Sequence, residues 1–338
     1  MSRALALLLL AVGATAEAAE PPAACVGRKA GAQRCLDAAL AAWRGDGAER
    51  DPAVGVLGLE RACALGSGRG CLEAASARRL GGDVERDEAH AQALYRAACE
   101  RREPLGCVRL GEMILWGVGA PADGGKAEAL FRRGCALKSA EACVLLGVQL
   151  RTRSPMEAMR LFSAWCRAGD GHACFEQARL GYERIHGAWD PEAFAVLFAS
   201  SCRLGYARGC VVEANMYRQG IGVPRDEARA VLLYRKSCAS GQGEACMLLG
   251  EMYENGLGVP KSETLAAQQF VEGCEKGWGT SCVAAGNCQR RGWEYCGGPS
   301  AYRESVYIPE LETAGRALLD ERVEGVVRPG DRVAVIDD

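Results

Sequence analysis

Pairs of cysteines eight positions apart recur along this chain with a fixed period, and few folds satisfy that constraint. The pairs are Cys63 and Cys71, Cys99 and Cys107, Cys135 and Cys143, Cys166 and Cys174, Cys202 and Cys210, Cys238 and Cys246, and Cys274 and Cys282. Cys25 and Cys35, ten apart, open the series as an expanded first copy, and Cys288 and Cys296 close it. From Cys63 onward the first cysteines follow at intervals of 36, 36, 31, 36, 36 and 36 residues, a period in the range of helix-pair solenoids. Eight residues of a straight helix rise about 12 Å, whereas bridged cysteines have Cα atoms roughly 5.5 to 6 Å apart, so a bridge within a pair needs the chain to reverse between its cysteines. In RKSCASGQGEACMLLGEMYENGLGVP, from Arg235 to Pro260, Gly241 and Gly243 ease that reversal. The stretch predicts a helix ending near Cys238, a tight turn, and a second helix starting near Cys246.

Other positions keep the same phase. Four residues before the first cysteines stand Leu59, Tyr95, Phe131, Phe162, Phe198, Tyr234 and Phe270, one helical turn back on the cysteine's face. Eight before come Ala91, Ala127, Ala158, Ala230 and Ala266, with Phe194 the exception. Asp87, Asp190 and Asp226 stand where helix N-caps belong. Four residues after the second cysteines come Ala75, Gly111, Gly147, Ala178, Ala214, Gly250 and Gly286, which we read as allowing close approach of a neighbouring helix backbone. The second helices end in connectors such as WGVGAP, QGIGVP and NGLGVP, a glycine stop followed by proline. The single 31-residue interval is a deletion between Leu150 and Pro155.

The organisation expected is a leader over 1–18, a disulfide-stapled repeat solenoid with terminal caps over 19–296, and a non-repeat tail over 297–338 in which VEGVVRPGDRVAVID allows a short β-hairpin. The leader reads as a secretory signal: Arg3, an apolar run from Ala4 to Val12, then small-residue sites ending at Ala16 or Ala18. Export accounts for eighteen cysteines as nine disulfides, Cys25–Cys35, Cys63–Cys71, Cys99–Cys107, Cys135–Cys143, Cys166–Cys174, Cys202–Cys210, Cys238–Cys246, Cys274–Cys282 and Cys288–Cys296. Among the last cysteines, Cys282 with Cys296 stays open, because spacing does not fix connectivity. A formal net charge of −2 with scattered Lys and Arg gives no footprint for nucleic acid, and no later run is long enough to span a bilayer. No C-x-x-C occurs, and His90, His172 and His186 are not at zinc-ligand spacing, so neither metal nor cofactor is expected.

The phrase LLGEMYENGLGVPKSETLAAQQF resembles the Sel1-like repeat, a relative of the tetratricopeptide repeat. With an eight-spaced cysteine pair in each copy, residues 25 to 290 are similar to the secreted cysteine-rich proteins of the Helicobacter type. The resemblance implies an all-α fold, a right-handed α/α superhelix of about eight helix pairs with one disulfide per pair. It also implies one of two activities, an interaction module or a slow penicillin-binding protein and β-lactamase.

The chain's own residues favour the first. No serine has lysine three positions later, and K-T-G and G-x-S-x-G are missing, so no catalytic residue is assigned. His172 and His186 read as solvated loop residues, Tyr217 and Tyr253 as core, and Glu251 and Glu254 as a solvated face. Trp165, Trp189, Trp278 and Trp293 fall outside the repeated positions and are the candidates for a ligand-facing surface. The expected function is a periplasmic or secreted scaffold, monomeric, that holds a peptide, a protein segment or a peptidoglycan fragment on its concave face; the alternative is β-lactam hydrolysis.

Overall fold

The computed structural model describes residues 20–26, 31–46, 49–119, 121–184 and 190–290, without the side chains of 182–184, 283 and 286–290. Among these residues are fifteen α-helices and one 3₁₀ turn at Ala23–Cys25, with no strand. The chain divides into two compact units between Leu146 and Gly147. The first holds α1 (Ala32–Arg44), α2 (Pro52–Ala64), α3 (Gly68–Leu80), α4 (Glu88–Glu100), α5 (Pro104–Leu115) and α6 (Gly124–Ala136), and α7 (Ala140–Leu150) runs through the division. The second holds α8 (Pro155–Arg167), α9 (Gly171–Arg184), α10 (Pro191–Arg203), α11 (Ala207–Gln219), α12 (Glu227–Ala239), α13 (Gly243–Asn255), α14 (Glu263–Glu275) and α15 (Gly279–Arg290). From α2 onward the helices form consecutive pairs, so the fold is the all-α, disulfide-stapled repeat solenoid.

Every first helix from α2 onward except α8, whose N-cap Ser154 makes no side-chain cap bond, starts on a capping side chain. Asp51, Asp87, Asp123, Asp190, Asp226 and Ser262 accept the backbone N–H three residues on, at 2.8 to 3.3 Å. That satisfies a donor that the first turn otherwise leaves open. Each first helix stops just past its first cysteine, and the second begins three residues before the second. Eight disulfides close these turns, Cys25–Cys35 and the seven eight-spaced pairs from Cys63–Cys71 to Cys274–Cys282, with Cα atoms 4.4 to 4.7 Å apart. Each closes a short loop, a constraint worth about 2–3 kcal/mol in the chain-entropy picture. The side chain of Cys288, Cys296, the leader over 1–18 and the tail over 297–338 lie outside the described residues.

Successive pairs interlock through the aromatic residue four before the first cysteine. A Cβ on Gly111 would lie 2.6 Å from Phe131 Cε1, one on Gly147 2.5 Å from Phe162 Cε1, and one on Gly250 2.5 Å from Phe270 Cε1. What these small positions admit is therefore an aromatic ring of the next pair and not a helix backbone. The exception Phe194 follows the same logic at a different position, since a Cβ on Gly181 would meet its Cε1 at 2.8 Å. Where the aromatic is tyrosine, the preceding pair supplies a polar partner: Tyr234 Oη donates to Asn215 Oδ1 at 2.6 Å, and Tyr95 Oη lies 3.1 Å from Ser76 Oγ. The neighbouring residue adds a second tie. Ser201 Oγ donates to the Gly171 carbonyl at 2.7 Å and Ser237 Oγ to the Ala207 carbonyl at 2.9 Å.

Candidate functional site

Of the four tryptophans singled out by sequence, the two described ones, Trp165 and Trp278, lie in different pairs. Trp165 and Trp278 are half-buried, and Trp189 and Trp293 lie outside the described residues. Trp165 stands one residue before Cys166, where the other copies carry Ala62, Ala98, Gly134, Ser201, Ser237 and Gly273. Trp278 lies in the turn before α15; a Cβ on Gly243 would be 2.8 Å from its Cβ, and its Nε1 is buried without a hydrogen-bond partner.

A polar cluster missed from sequence occupies α9 and the turn before α11. His172 is in the first turn of α9, one third exposed, and its ring stacks on Tyr206 at 4.7 Å and 13°, so it is not a solvated loop residue. Below it Glu176 is buried, with Oε1 3.6 Å from His172 Nε2 and Oε2 3.1 Å from Arg179 Nε. Burial works to raise the Glu176 pKa, but the contact with His172 and the charge of Arg179 outweigh it, and the carboxyl sits below its ordinary value. Burial raises the Tyr206 phenol. The serine ahead of this turn, Ser201, is buried and committed to the Gly171 carbonyl. The cluster thus acts as a joint between pairs: ring on ring, with an ion pair underneath.

Tyr253 is buried in the core, as its phase implies, and Arg235 Nη2 donates to its hydroxyl at 2.8 Å. Tyr217 is half-buried and carries the Arg229 guanidinium 4.4 Å above its ring. Glu254 is exposed, whereas Glu251 pairs with Arg218 at 3.4 Å. Cys238, Cys246 and Glu272 bring ligand atoms within 4.8 Å of one another, but both sulfurs are in the disulfide. Lys276 Nζ also lies 3.8 and 3.7 Å from those sulfurs, so the group fits no metal ion.

The first helices of the pairs present a different surface. Six residues before the first cysteine stand Leu57, Ala93, Ala129, Arg160, Val196, Leu232 and Gln268. A residue at this position turns away from the core-facing positions four and eight before the cysteine. Ala93, Ala129, Val196 and Leu232 are exposed, and the last two leave 66% and 62% of their surface in water. The ends of the first helices are tied to the preceding pair by cations: Arg61 Nε reaches the Cys25 carbonyl at 3.3 Å, Lys236 Nζ the Cys202 carbonyl at 3.1 Å, and Lys276 Nζ the Cys238 carbonyl at 2.9 Å. Carbonyls that the helix C-terminus leaves open are satisfied by the next repeat.

Stapled helix pairs repeated in register, most of them joined by a glycine connector, define a repeat scaffold of the tetratricopeptide-like class. The Sel1 repeat matches residues 70–102, 104–139, 140–170, 200–242 and 243–277, more than half of the chain, and the chain belongs to that family. No curated protein matches the chain. Among solved structures it is similar to c5321, a protective antigen of uropathogenic Escherichia coli strains with an SLR fold, at 19% identity and a TM-score of 0.65 over 89% of this chain. The chain spans 66% of the length of c5321. A Sel1 repeat protein from Oxalobacter formigenes gives 20% identity and a TM-score of 0.64 over 77% of this chain and 76% of that one. The Helicobacter pylori cysteine rich protein B gives 22% identity over 38% of this chain and 92% of its own, with a TM-score of 0.33. At these identities the likeness to the first two shows the fold alone. The eight disulfides belong to the chemistry of exported proteins. Among the described residues no helix is long and apolar enough to cross a membrane.

Proposed function

We propose that this protein is a periplasmic or secreted Sel1 scaffold, monomeric and without catalytic residues, that holds a peptide, a protein segment or a peptidoglycan fragment on the face formed by the first helices of its pairs. The observation that carries the reading is the pair of exposed aliphatic side chains, Val196 and Leu232, at the same position of two successive first helices. Large aliphatic side chains held in water on adjacent helices serve no packing need, and extended binding faces of repeat proteins are built from neighbouring helices. Trp165 and Trp278 are assigned to flanking contacts.

The test replaces Val196, Leu232 and, as a control on a second helix, Gln219 with a photo-crosslinking amino acid in the exported, oxidised protein. The reading expects one discrete product that saturates with light from positions 196 and 232 and none from 219. Equal labelling at all three positions contradicts it. Ring opening of benzylpenicillin above a denatured control would instead favour the hydrolase that the family resemblance implied.

A further inference from the structure

We infer that the surface over α10 and α12 docks an acidic, apolar segment of a partner protein. The inference rests on the scaffold reading above and adds the chemistry of what is held. The two helices lie side by side. At one end the connector that leads into α12 presses on the start of α10, where a Cβ on Gly222 would lie 2.1 Å from the Pro191 carbonyl oxygen. At the other end Lys236, on α12, bonds the Cys202 carbonyl that closes α10. Val196 and Leu232 hold equivalent positions on the two helices, and both are mostly in water. A bound apolar side chain that covers them removes apolar surface from water, which favours binding.

At the cysteine ends of the two helices the exposed charges are all cationic, while Arg229, also exposed, stands at the other end of α12 over the Tyr217 ring. Arg203, Arg235 and Lys236, all exposed, stand toward the cysteine ends of the helices. Each is fixed by a neutral partner: Arg203 Nη2 donates to Ser200 Oγ at 3.2 Å, Arg235 Nη2 to Tyr253 Oη at 2.8 Å, and Lys236 Nζ to the Cys202 carbonyl at 3.1 Å. Among the described residues none of the three is in an ion pair. The exposed carboxylates, Asp190, Glu192 and Asp226, are at the opposite ends, where both aspartates are engaged as caps. One acid lies underneath: Glu213 is 7% exposed, at a position that holds Ala74, Leu110 and Leu249 in other pairs. It makes no hydrogen bond or ion pair, and although the charges of Arg229, Lys236 and Arg203 act on it, burial keeps its pKa raised.

The three surface cations therefore keep oriented donors and unneutralised charge beside an uncovered aliphatic pair. That combination suits a segment whose apolar side chains cover Val196 and Leu232 while its Asp or Glu side chains meet the cations. A basic segment would be repelled at the same end.

The test uses the full oxidised protein and two labelled peptides about 16 residues long, roughly four helical turns. Both carry leucines on one face; one has glutamates elsewhere and the other lysines. The glutamate peptide is expected to bind saturably, at least about tenfold tighter than the lysine peptide, with a preference that weakens as salt is added. The double variant Arg203→Glu, Arg235→Glu is expected to reverse the preference. Val196→Ser, Leu232→Ser is expected to weaken the glutamate peptide about tenfold, with both variants melting near the parent. Equal binding of the two peptides, or no response to charge reversal, overturns the acidic partner and leaves the scaffold reading standing. Failure of both peptides to bind also overturns it, and the scaffold reading is then decided by the crosslinking pattern alone.

Discussion

The connectors WGVGAP, QGIGVP and NGLGVP look interchangeable, yet alanine in place of their second glycines should give unequal results. Gly119, Gly222 and Gly258 all have positive φ, at 76°, 68° and 68°. Alanine pays a left-handed penalty of roughly 1–2 kcal/mol at each. The surroundings differ. A Cβ at Gly119 has Glu88 Cβ as its nearest neighbour at 3.9 Å, ordinary contact. At Gly222 it would lie 2.1 Å from the Pro191 oxygen and 2.5 Å from its carbonyl carbon, and at Gly258 2.4 Å from the Glu227 carbonyl carbon. Those are backbone atoms in the first turns of α10 and α12, which cannot swing aside, and overpacking of this kind adds about 1–3 kcal/mol or more. With about 2–4 °C of melting temperature per kcal/mol at this size, Gly119→Ala should lower the melt by about 5 °C and Gly222→Ala or Gly258→Ala by about 10 °C or more. The assay is helical circular dichroism against temperature in the oxidised protein. Amide exchange over residues 190–200 then locates the loosening in Gly222→Ala, because each pair touches only its neighbours. Three equal shifts would refute the reasoning and, with it, the side-by-side placement of α10 and α12.

Tyr234→Phe leaves the Asn215 amide oxygen without its donor and should cost about 1–3 kcal/mol in a chemical denaturation series, whereas Tyr95→Phe should cost less because Ser76 keeps its bond to the Leu72 carbonyl. The Tyr234 phenol is pushed up to about 12 by burial, so in an absorbance titration it should ionise late, and its contribution to stability should fade as pH climbs from 10 through that value. Glu213 and Glu176 should show opposite pH dependences. The raised pKa of Glu213 means its penalty is absent below the ordinary value of 4.5 and grows as pH rises through the folded value, so Glu213→Leu should stabilise at pH 7 and lose that advantage near pH 4. The depressed pKa of Glu176 means its contribution is present above 4.5 and lost as pH falls through the lower folded value, so Glu176→Gln should destabilise at pH 7 and approach the parent in acid. Parallel pH profiles for the two variants would contradict both assignments.

The helix pairs were legible because cysteine spacing, aspartate caps and glycine connectors are local signals read within one repeat. What one repeat offers the next was not. The glycines at 111, 147 and 250 announce a close approach but not its partner, and the ring that arrives comes from the following helix. Comparing copies contains the missing signal, since an aromatic four before one cysteine always follows a small residue four after the previous one. The setting of His172 is hidden in the sequence for a related reason. Its equivalents Arg69, Leu105, Glu141, Arg208 and Glu244 share no chemistry, so phase carries no information there, and the stacking partner Tyr206 lies in the next pair. The apolar surface of α10 and α12 was hidden because Val196 and Leu232 look like core residues until the helix face they occupy is known.

The measurement closest to the central claim, that the chain is a series of helix pairs each closed by its own disulfide, is a peptide map of the unreduced protein by mass spectrometry. The account predicts that every described cysteine is linked to its partner eight positions away, or ten for Cys25 and Cys35, with no free thiol among them. A linkage between cysteines of different pairs, or a described cysteine that alkylates without reduction, would contradict it.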